Sequence, residues 1–201
     1  MTDRQTKILQ IVNEQKRVEV TSLSELLDVS QVTIRKDLDV LEERGLLTRE
    51  HGYAAVRNTD DITNRLSVRY DTKLKIAKAA AKIVANGETV MIESGSSCAL
   101  LAEQLANEKK DVTIITNSAF IANHIRESAI GKIILLGGDY QTESQVMVGP
   151  MVRKCAREFF VDKLFMGTDG FIPQAGFTCG DMMRAESMKN MAESAKHSII
   201  L

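Results

Sequence analysis

Ser30-Gln31-Val32-Thr33-Ile34-Arg35-Lys36-Asp37-Leu38-Asp39-Val40-Leu41-Glu42-Glu43-Arg44-Gly45 reads as one helix bounded by its own signals. Ser30 is a good N-cap, because its hydroxyl can accept from an otherwise unpaired amide in the first turn. Gly45 stands where a left-handed C-terminal residue is wanted. Ile34, Leu38 and Leu41 follow the i, i+4, i+7 spacing of a core stripe. A rotation of about 100° per residue turns Val32, Arg35, Lys36, Asp39 and Glu43 to the far side, with Thr33 flanking it. Donors and a methyl-seeking group occupy the tip of that face, and negative charge collects only in its second half. A helix entering the major groove N-terminus first needs this distribution.

The flanks sharpen the reading. Ser22-Leu23-Ser24-Glu25 has the spacing of a capping box and predicts a short helix through Leu26 and Leu27. Asp28-Val29 then turns the chain into Ser30, which makes a helix-turn-helix. Downstream, 46–49 reads as a strand, His51-Gly52 as a turn and 53–56 as a returning strand. That hairpin is the wing of a winged helix, with Arg49, His51 and Arg57 near DNA. The candidate DNA contacts are Ser30, Gln31, Val32, Thr33, Arg35, Lys36, Arg49 and His51. The competing reading is a small structural helical domain whose charges are merely solvated. Cap, turn, polar tip and wing in the right order favour double-stranded DNA.

At these residues the chain resembles the DeoR family of bacterial transcriptional regulators. The resemblance lies in Val29-Ser30, the run from Val32 through Leu38, Leu41-Glu42, Gly45-Leu46-Leu47, Arg49 and His51-Gly52. The family usually carries a second glycine after His51-Gly52, where this chain has Tyr53.

The chain has 201 residues, enough for one or two domains with a sizeable core. With 26 Lys+Arg against 27 Asp+Glu, its formal net charge is −1. DNA contact must therefore rest on where charges sit rather than on their sum. No signal peptide is visible, and no apolar run approaches the ~20 residues that span a bilayer. The expectation is a cytoplasmic protein with no membrane partner. Cys98, Cys155 and Cys179 are odd in number and form no C-x-x-C, so neither a disulfide framework nor a zinc site is expected. The histidines, His51, His124 and His197, are equally scattered. No metal or cofactor is expected.

Before the recognition stretch, Thr2 or Asp3 opens a first helix with the stripe Ile8, Ile11 and Val12, ending near 14–16. Val18-Glu19-Val20 is a short extended piece able to pair with the wing strands. After it, polar residues 57–62 are the expected hinge. A long helical pattern over 63–84 follows, kinked near Tyr70-Asp71 and stopped by Asn86-Gly87. Its lysines, Lys73, Lys75, Lys78 and Lys82, mark a solvated face. The expected organisation is a winged helix-turn-helix domain over 1–57, then a linker and the start of a connecting helix over 58–72. An effector-binding domain occupies 73–201.

Beyond Gly87 short apolar strands alternate with helices. Strands are expected at 89–93, 112–116, 132–136, 163–166 and 198–201. Helices are expected at 99–106, through Ile121 and Ile125, and over 151–159 and 182–195. That alternation implies an α/β domain with a mostly parallel, Rossmann-like sheet covered on both faces. Ligands of such sheets bind beyond the carboxyl ends of the strands. Polar residues and glycines gather there: Glu93-Ser94-Gly95-Ser96-Ser97, Thr116-Asn117-Ser118, Gly137-Gly138 and Gly167-Thr168-Asp169-Gly170. In the loop at 94–97, Gly95 lets backbone come close and Ser96 and Ser97 add hydroxyls. The following helix points free amides at the same place, a combination that suits a phosphate. The plain alternative is that Ser96 or Ser97 only caps that helix. The candidate effector contacts are Glu93, Ser94, Gly95, Ser96, Ser97, Asn117, Gly137, Gly138, Gly167, Asp169 and Gly170.

These strand ends, with Leu136 and Val148-Gly149, are similar to the effector-binding domain of the DeoR family, which in turn resembles ribose-5-phosphate isomerase. The resemblance implies a phosphorylated sugar as effector of a repressor of carbohydrate-metabolism genes. The family commonly has Asp where this chain has Glu93. It also continues after the last strand with an Asp-x-Ser-Lys segment, so the effector domain is expected to be truncated at Leu201. The alternative is an isomerase-like enzyme acting on a sugar phosphate, with Glu93, Asp169 or Asp181 as base. A winged helix has no role there, and the reading is a regulator rather than an enzyme. One winged helix makes few base contacts, so a homo-oligomer, dimer or tetramer, is expected.

Overall fold

The computed structural model describes residues 2–43, 46–55, 61–128 and 130–201. The chain divides into two compact units, Met1–Tyr70 and Asp71–Leu201.

In the first unit, α1 (Asp3–Gln15) opens on a capping box between Thr2 and Gln5. Then come β1 (Arg17–Glu19), α2 (Val20–Leu26), α3 (Gln31–Glu43), β2 (Thr48–Glu50), β3 (Tyr53–Ala55) and α4 (Ile62–Ser67). The strands form one antiparallel sheet in the order β1-β3-β2, so the extended piece before α2 does close onto the wing. Ile8, Leu9, Val12, Val18, Leu23, Ile34, Leu38 and Leu41 make the core. Ile34, Leu38 and Leu41 are each 0% exposed, as the i, i+4, i+7 stripe requires.

Two expectations need correction here. Ser22 does not cap α2. The helix starts three residues earlier than that cap implies, at Val20, with Glu19 as a cap that makes no side-chain bond. The Val20 amide bonds instead to the Gly52 carbonyl at 3.0 Å, so a tertiary contact does what a serine cap would have done. The wing's first strand begins at Thr48, because Leu46 and Leu47 are spent in the core. The proposed C-cap at Gly45, and Val56 and Arg57 of the wing, lie outside the described residues.

The long helix expected over 63–84 is two helices. α4 ends at Ser67, its C-cap Val68 has an extended backbone, and Arg69 takes φ 53°. α5 (Tyr70–Ala81) follows. The break falls just before the expected kink at Tyr70-Asp71. Asp61 caps α4 through the Thr63 amide at 2.8 Å, and Ile62 is fully buried.

The second unit continues with β4 (Thr89–Ile92), α6 (Ser96–Glu108), β5 (Thr113–Thr116), α7 (Ala119–His124) and β6 (Lys132–Leu135). Next are β7 (Asp139–Gln141), β8 (Val146–Val148), α8 (Pro150–Ala156) and β9 (Val161–Met166). The chain closes with β10 (Gly170–Ile172), β11 (Gly176–Thr178), α9 (Met182–Ala192) and β12 (Ala195–Ile200). The main sheet is five-stranded and wholly parallel, in the order β12-β9-β4-β5-β6. Its centre, Val90, Met91, Ile92, Ile114 and Ile115, is fully buried, as expected where helices cover both faces.

Several boundaries shift. α6 begins at Ser96 rather than at residue 99, α8 is shorter than expected, and β12 begins at Ala195. Two antiparallel hairpins, β7–β8 and β10–β11, were not anticipated. Both sit just after strand ends where the polar residues gather.

Candidate nucleic-acid interface and effector site

The tip of α3 is built from Ser30 outward. The Ser30 hydroxyl accepts from the Thr33 amide at 3.2 Å and lies 2.9 Å from the Thr33 hydroxyl, so Ser30 caps the helix as expected. The turn before it is held by the Ser24 hydroxyl, which donates to the Val29 carbonyl at 2.6 Å, and by Asp28 at φ 51°. Gln31, Val32, Arg35 and Lys36 are exposed. Arg35 donates to the Gln31 side chain at 3.3 Å, one turn away. Val32 is 59% exposed, an apolar group with no core to join.

The orientation of α3 rests on a buried carboxylate that the sequence did not single out. Asp37 is 6% exposed and faces α1, where Arg4 Nε donates to it at 2.5 Å and Gln5 Nε2 at 3.2 Å. The acidic second half of α3 also has a task. Asp39 pairs with the Arg49 guanidinium, and Glu42 accepts from the Arg49 amide at 2.9 Å. Arg49, expected at DNA, thus also ties the wing to the recognition helix. His51 is exposed at the wing turn, where Gly52 has φ 79°. Tyr53, in place of the family's glycine, starts β3. Its hydroxyl donates to Glu19 at 2.6 Å while the Arg17 guanidinium stacks 3.9 Å above its ring. The Tyr53 hydroxyl is the main cause that holds the Glu19 carboxyl below its ordinary range.

In the second unit the carboxyl ends of β4 and β9 meet. Glu93 is 4% exposed. Its Oε1 accepts from the Ser94 hydroxyl at 2.6 Å, and its Oε2 from the amides of Gly95 at 2.9 Å and Gly167 at 3.2 Å. A Cβ on Gly95 would stand 3.0 Å from the Gly167 Cα, so these two backbones touch. Gly95 is the N-cap of α6 and makes no side-chain cap. The amides of Ser96 and Ser97 thus open the helix without intrahelical acceptors. Neither Ser96 nor Ser97 acts as the cap. Both are buried, at 7% and 9% exposure, and among the described residues neither hydroxyl bonds another protein group.

Asn117, at the end of β5, is 1% exposed. It donates to the Met147 carbonyl at 2.9 Å, and its Oδ1 has no partner among the described residues. Gly137 lies near Cys155. Gly138 is pressed against β8, where a Cβ would stand 2.6 Å from the Val148 carbonyl oxygen. Asp169 Oδ2 accepts from the Gly180 amide at 2.8 Å, and Thr168 ties Gly170 to Thr178. Asp181 caps α9 through the Arg184 amide at 2.8 Å and accepts from Gln141. Burial raises the Asp181 pKa, but the amide and Gln141 donors outweigh it and hold the carboxyl below its usual value. Every carboxylate considered as an isomerase base is therefore already engaged by protein donors. A cavity of about 190 Å³ borders Gly167 and Thr168, lined by Phe177, Met188, Ile200 and Lys189; Ser96, Ser97 and Asn117 do not line it. Cys179 sits at its edge, and burial pushes that thiol up. Among the described residues no three His, Cys, Asp or Glu side chains come together as a metal site. Nor, among those residues, is any helix long and apolar enough to cross a membrane.

A winged helix-turn-helix with a polar recognition tip, joined in one chain to a parallel α/β unit with polar strand ends, defines a transcriptional regulator with a sensor domain. Comparison with known families agrees. The DeoR-like helix-turn-helix domain matches residues 4–60, and the DeoR C terminal sensor domain matches 68–201. The chain belongs to the DeoR family of transcriptional regulators. It is 29% identical over 203 residues to the HTH-type transcriptional regulator GolR of Listeria innocua, covering 99% of this chain and 80% of that one. It is 27% identical to the glycerol-3-phosphate regulon repressor of Escherichia coli, covering 100% and 80%. Among solved structures, ribose 5-phosphate isomerase A of Methanocaldococcus jannaschii aligns at 23% identity and TM-score 0.47, over 66% of this chain and 52% of that one.

Proposed function

We propose that this regulator represses carbohydrate-metabolism genes, and that a phosphorylated sugar at the carboxyl ends of β4, β5, β6 and β9 sets its affinity for operator DNA. The observation that carries this reading is the start of α6. There, the first amides of α6 have no side-chain cap and the Ser96 and Ser97 hydroxyls follow the end of β4, while the strand paired beside it, β5, ends at Asn117 with its unpartnered carbonyl oxygen. Amides and hydroxyls suit a phosphate, and a buried acceptor suits a sugar hydroxyl. A relative named for a glycerol-3-phosphate regulon, and another, in Escherichia coli O157:H7, named for an aga operon, support a small phosphorylated carbohydrate.

In this reading residues 1–57 bind DNA through Ser30, Gln31, Val32, Thr33, Arg35 and Lys36, with Arg49 and His51 from the wing. Residues 58–72 connect, and 73–201 sense. The protein works in the cytoplasm as a dimer or tetramer on repeated half-sites, because one recognition helix reads too few base pairs alone. Thermal-shift screening against a panel of sugar phosphates tests the sensor. A ligand that binds only the folded state raises its apparent stability. A panel in which nothing raises the melting temperature above the inorganic-phosphate control counts against a sugar phosphate.

A further inference from the structure

We propose that Glu93 is a positioning residue that locks the β4–α6 and β9–β10 loops together before the ligand arrives, and that it acts as a hydrogen-bond acceptor rather than as a charge. The proposal rests on the sugar-phosphate reading for its functional consequence, though not for its geometry. The carboxylate is 4% exposed, and its donors are the Ser94 hydroxyl and backbone amides rather than the hydroxyls of Ser96 and Ser97. Both of its oxygens are occupied, one by the Ser94 hydroxyl and the other jointly by the Gly95 and Gly167 amides, at 2.6, 2.9 and 3.2 Å. The partners come from loops more than seventy residues apart in the chain. The β4 and β9 backbones are also joined there, by the Glu93 amide on the Phe165 carbonyl at 2.9 Å.

The two glycines complete the lock. A Cβ at Gly95 would meet the Gly167 Cα at 3.0 Å, and one at Gly167 would meet the Gly95 Cα at 3.1 Å. Only bare backbone lets one carboxylate oxygen reach both amides. The Gly95 amide is consequently spent inside the protein, and anion contact falls to the amides and hydroxyls that follow it. Ordering both loops in advance removes an entropic cost from binding, which is what a preformed site contributes.

Because the three partners are two amides and a hydroxyl, the network has a chemical signature. A glutamine can turn its carbonyl oxygen to both amides and donate its NH₂ to the Ser94 oxygen, since a hydroxyl accepts as well as donates. An alanine can do neither. A carboxylate that touched the ligand, or served as a base, would not tolerate the amide.

The test is Glu93→Gln against Glu93→Ala in the full chain, read in two ways. The first is amide hydrogen exchange at Gly95 and Gly167 without ligand. Glu93→Gln should protect both amides nearly as the parent does, and Glu93→Ala should release both together by roughly tenfold, the scale of one lost hydrogen bond. The second is the concentration of sugar phosphate needed for a thermal shift, which should be unchanged in Glu93→Gln and raised roughly tenfold in Glu93→Ala. If Glu93→Ala does not fold, Glu93→Asp replaces it, being one methylene too short to reach both loops. Glutamine behaving like alanine in either readout overturns the proposal, as does Gly167 exchange indifferent to the loss of Glu93. A parent that answers no sugar phosphate removes the ligand reading, while the exchange data still decide the lock.

Discussion

Replacing Arg35 and Lys36 by alanine, singly, separates recognition from folding. Both side chains are exposed on the tip of α3, and among the described residues the Arg35 side chain hydrogen-bonds only to Gln31, at 3.3 Å. Alanine is the best helix former, and no core or cap is touched. Stability should therefore stay within about 0.5 kcal/mol of the parent. DNA binding should not. A side chain that reads a base edge contributes ~1–3 kcal/mol, roughly 5- to 150-fold in affinity, and its loss relaxes preference at one position. A side chain that holds a phosphate weakens all sequences alike and lowers the slope of log affinity against log salt by about 0.9. Fluorescence anisotropy with labelled operator and a scrambled duplex, over a salt series, distinguishes the two roles. Lys78→Ala on α5, in the other unit, is the control. Unchanged operator affinity in both variants would mean that α3 does not enter the groove. A large loss of thermal stability in either would mean that the exposed tip has been misassigned as free of structural work.

Other outcomes follow from the second unit. Ser97→Asp places a carboxylate in the first turn of α6, where the helix tolerates it; it should bind operator like the parent yet no longer respond to a sugar phosphate in operator titrations. Gly138→Ala drives a methyl to 2.6 Å from the Val148 carbonyl oxygen, so chemical denaturation should show the sensor unit destabilised by ~1–3 kcal/mol. The Asp181 carboxyl lies below its ordinary value when folded, so its stabilising share is full above the unfolded pKa of about 4 and is lost as pH falls through the lower folded value. Denaturation of Asp181→Asn across acid pH should therefore show a shallower loss of stability than the parent; equal slopes would mean that Asp181 caps α9 without linkage to protons.

Much of this architecture was legible because local signals and burial agree. Ser30 caps α3, and Ile34, Leu38 and Leu41 are all buried, so periodicity and cap pointed to the same helix. The parallel sheet was legible from its short apolar strands. What escaped depended on distant partners. Ser22 has the spacing of a capping residue, but α2 takes its first acceptor from Gly52 on the wing turn. Arg69 breaks the long helix at φ 53° with no glycine or proline to announce it. The hairpins β7–β8 and β10–β11 have strands of three residues each, too short for an alternating pattern. The same limit applies to the sites. The loop at 94–97 was visible as glycine and serine at a strand end. Glu93 looked like a ligand or a base, and only the arrival of Gly167 shows its carboxylate facing inward. Arg49 reads as a DNA contact from the sequence, and its added bond to Asp39 was not legible because it depends on how the wing folds back onto α3.

The most direct test of a sugar-phosphate-controlled operator binder is a titration of operator DNA with the full chain, with and without a sugar phosphate that stabilises the protein. A ligand can change DNA affinity only through different affinity for two states of the protein. Coupling of the usual ~1–3 kcal/mol predicts a loss of roughly 5- to 150-fold in operator affinity at saturation. Superimposable titrations at saturating ligand would contradict the account, because the ligand would then bind without controlling the DNA-binding unit.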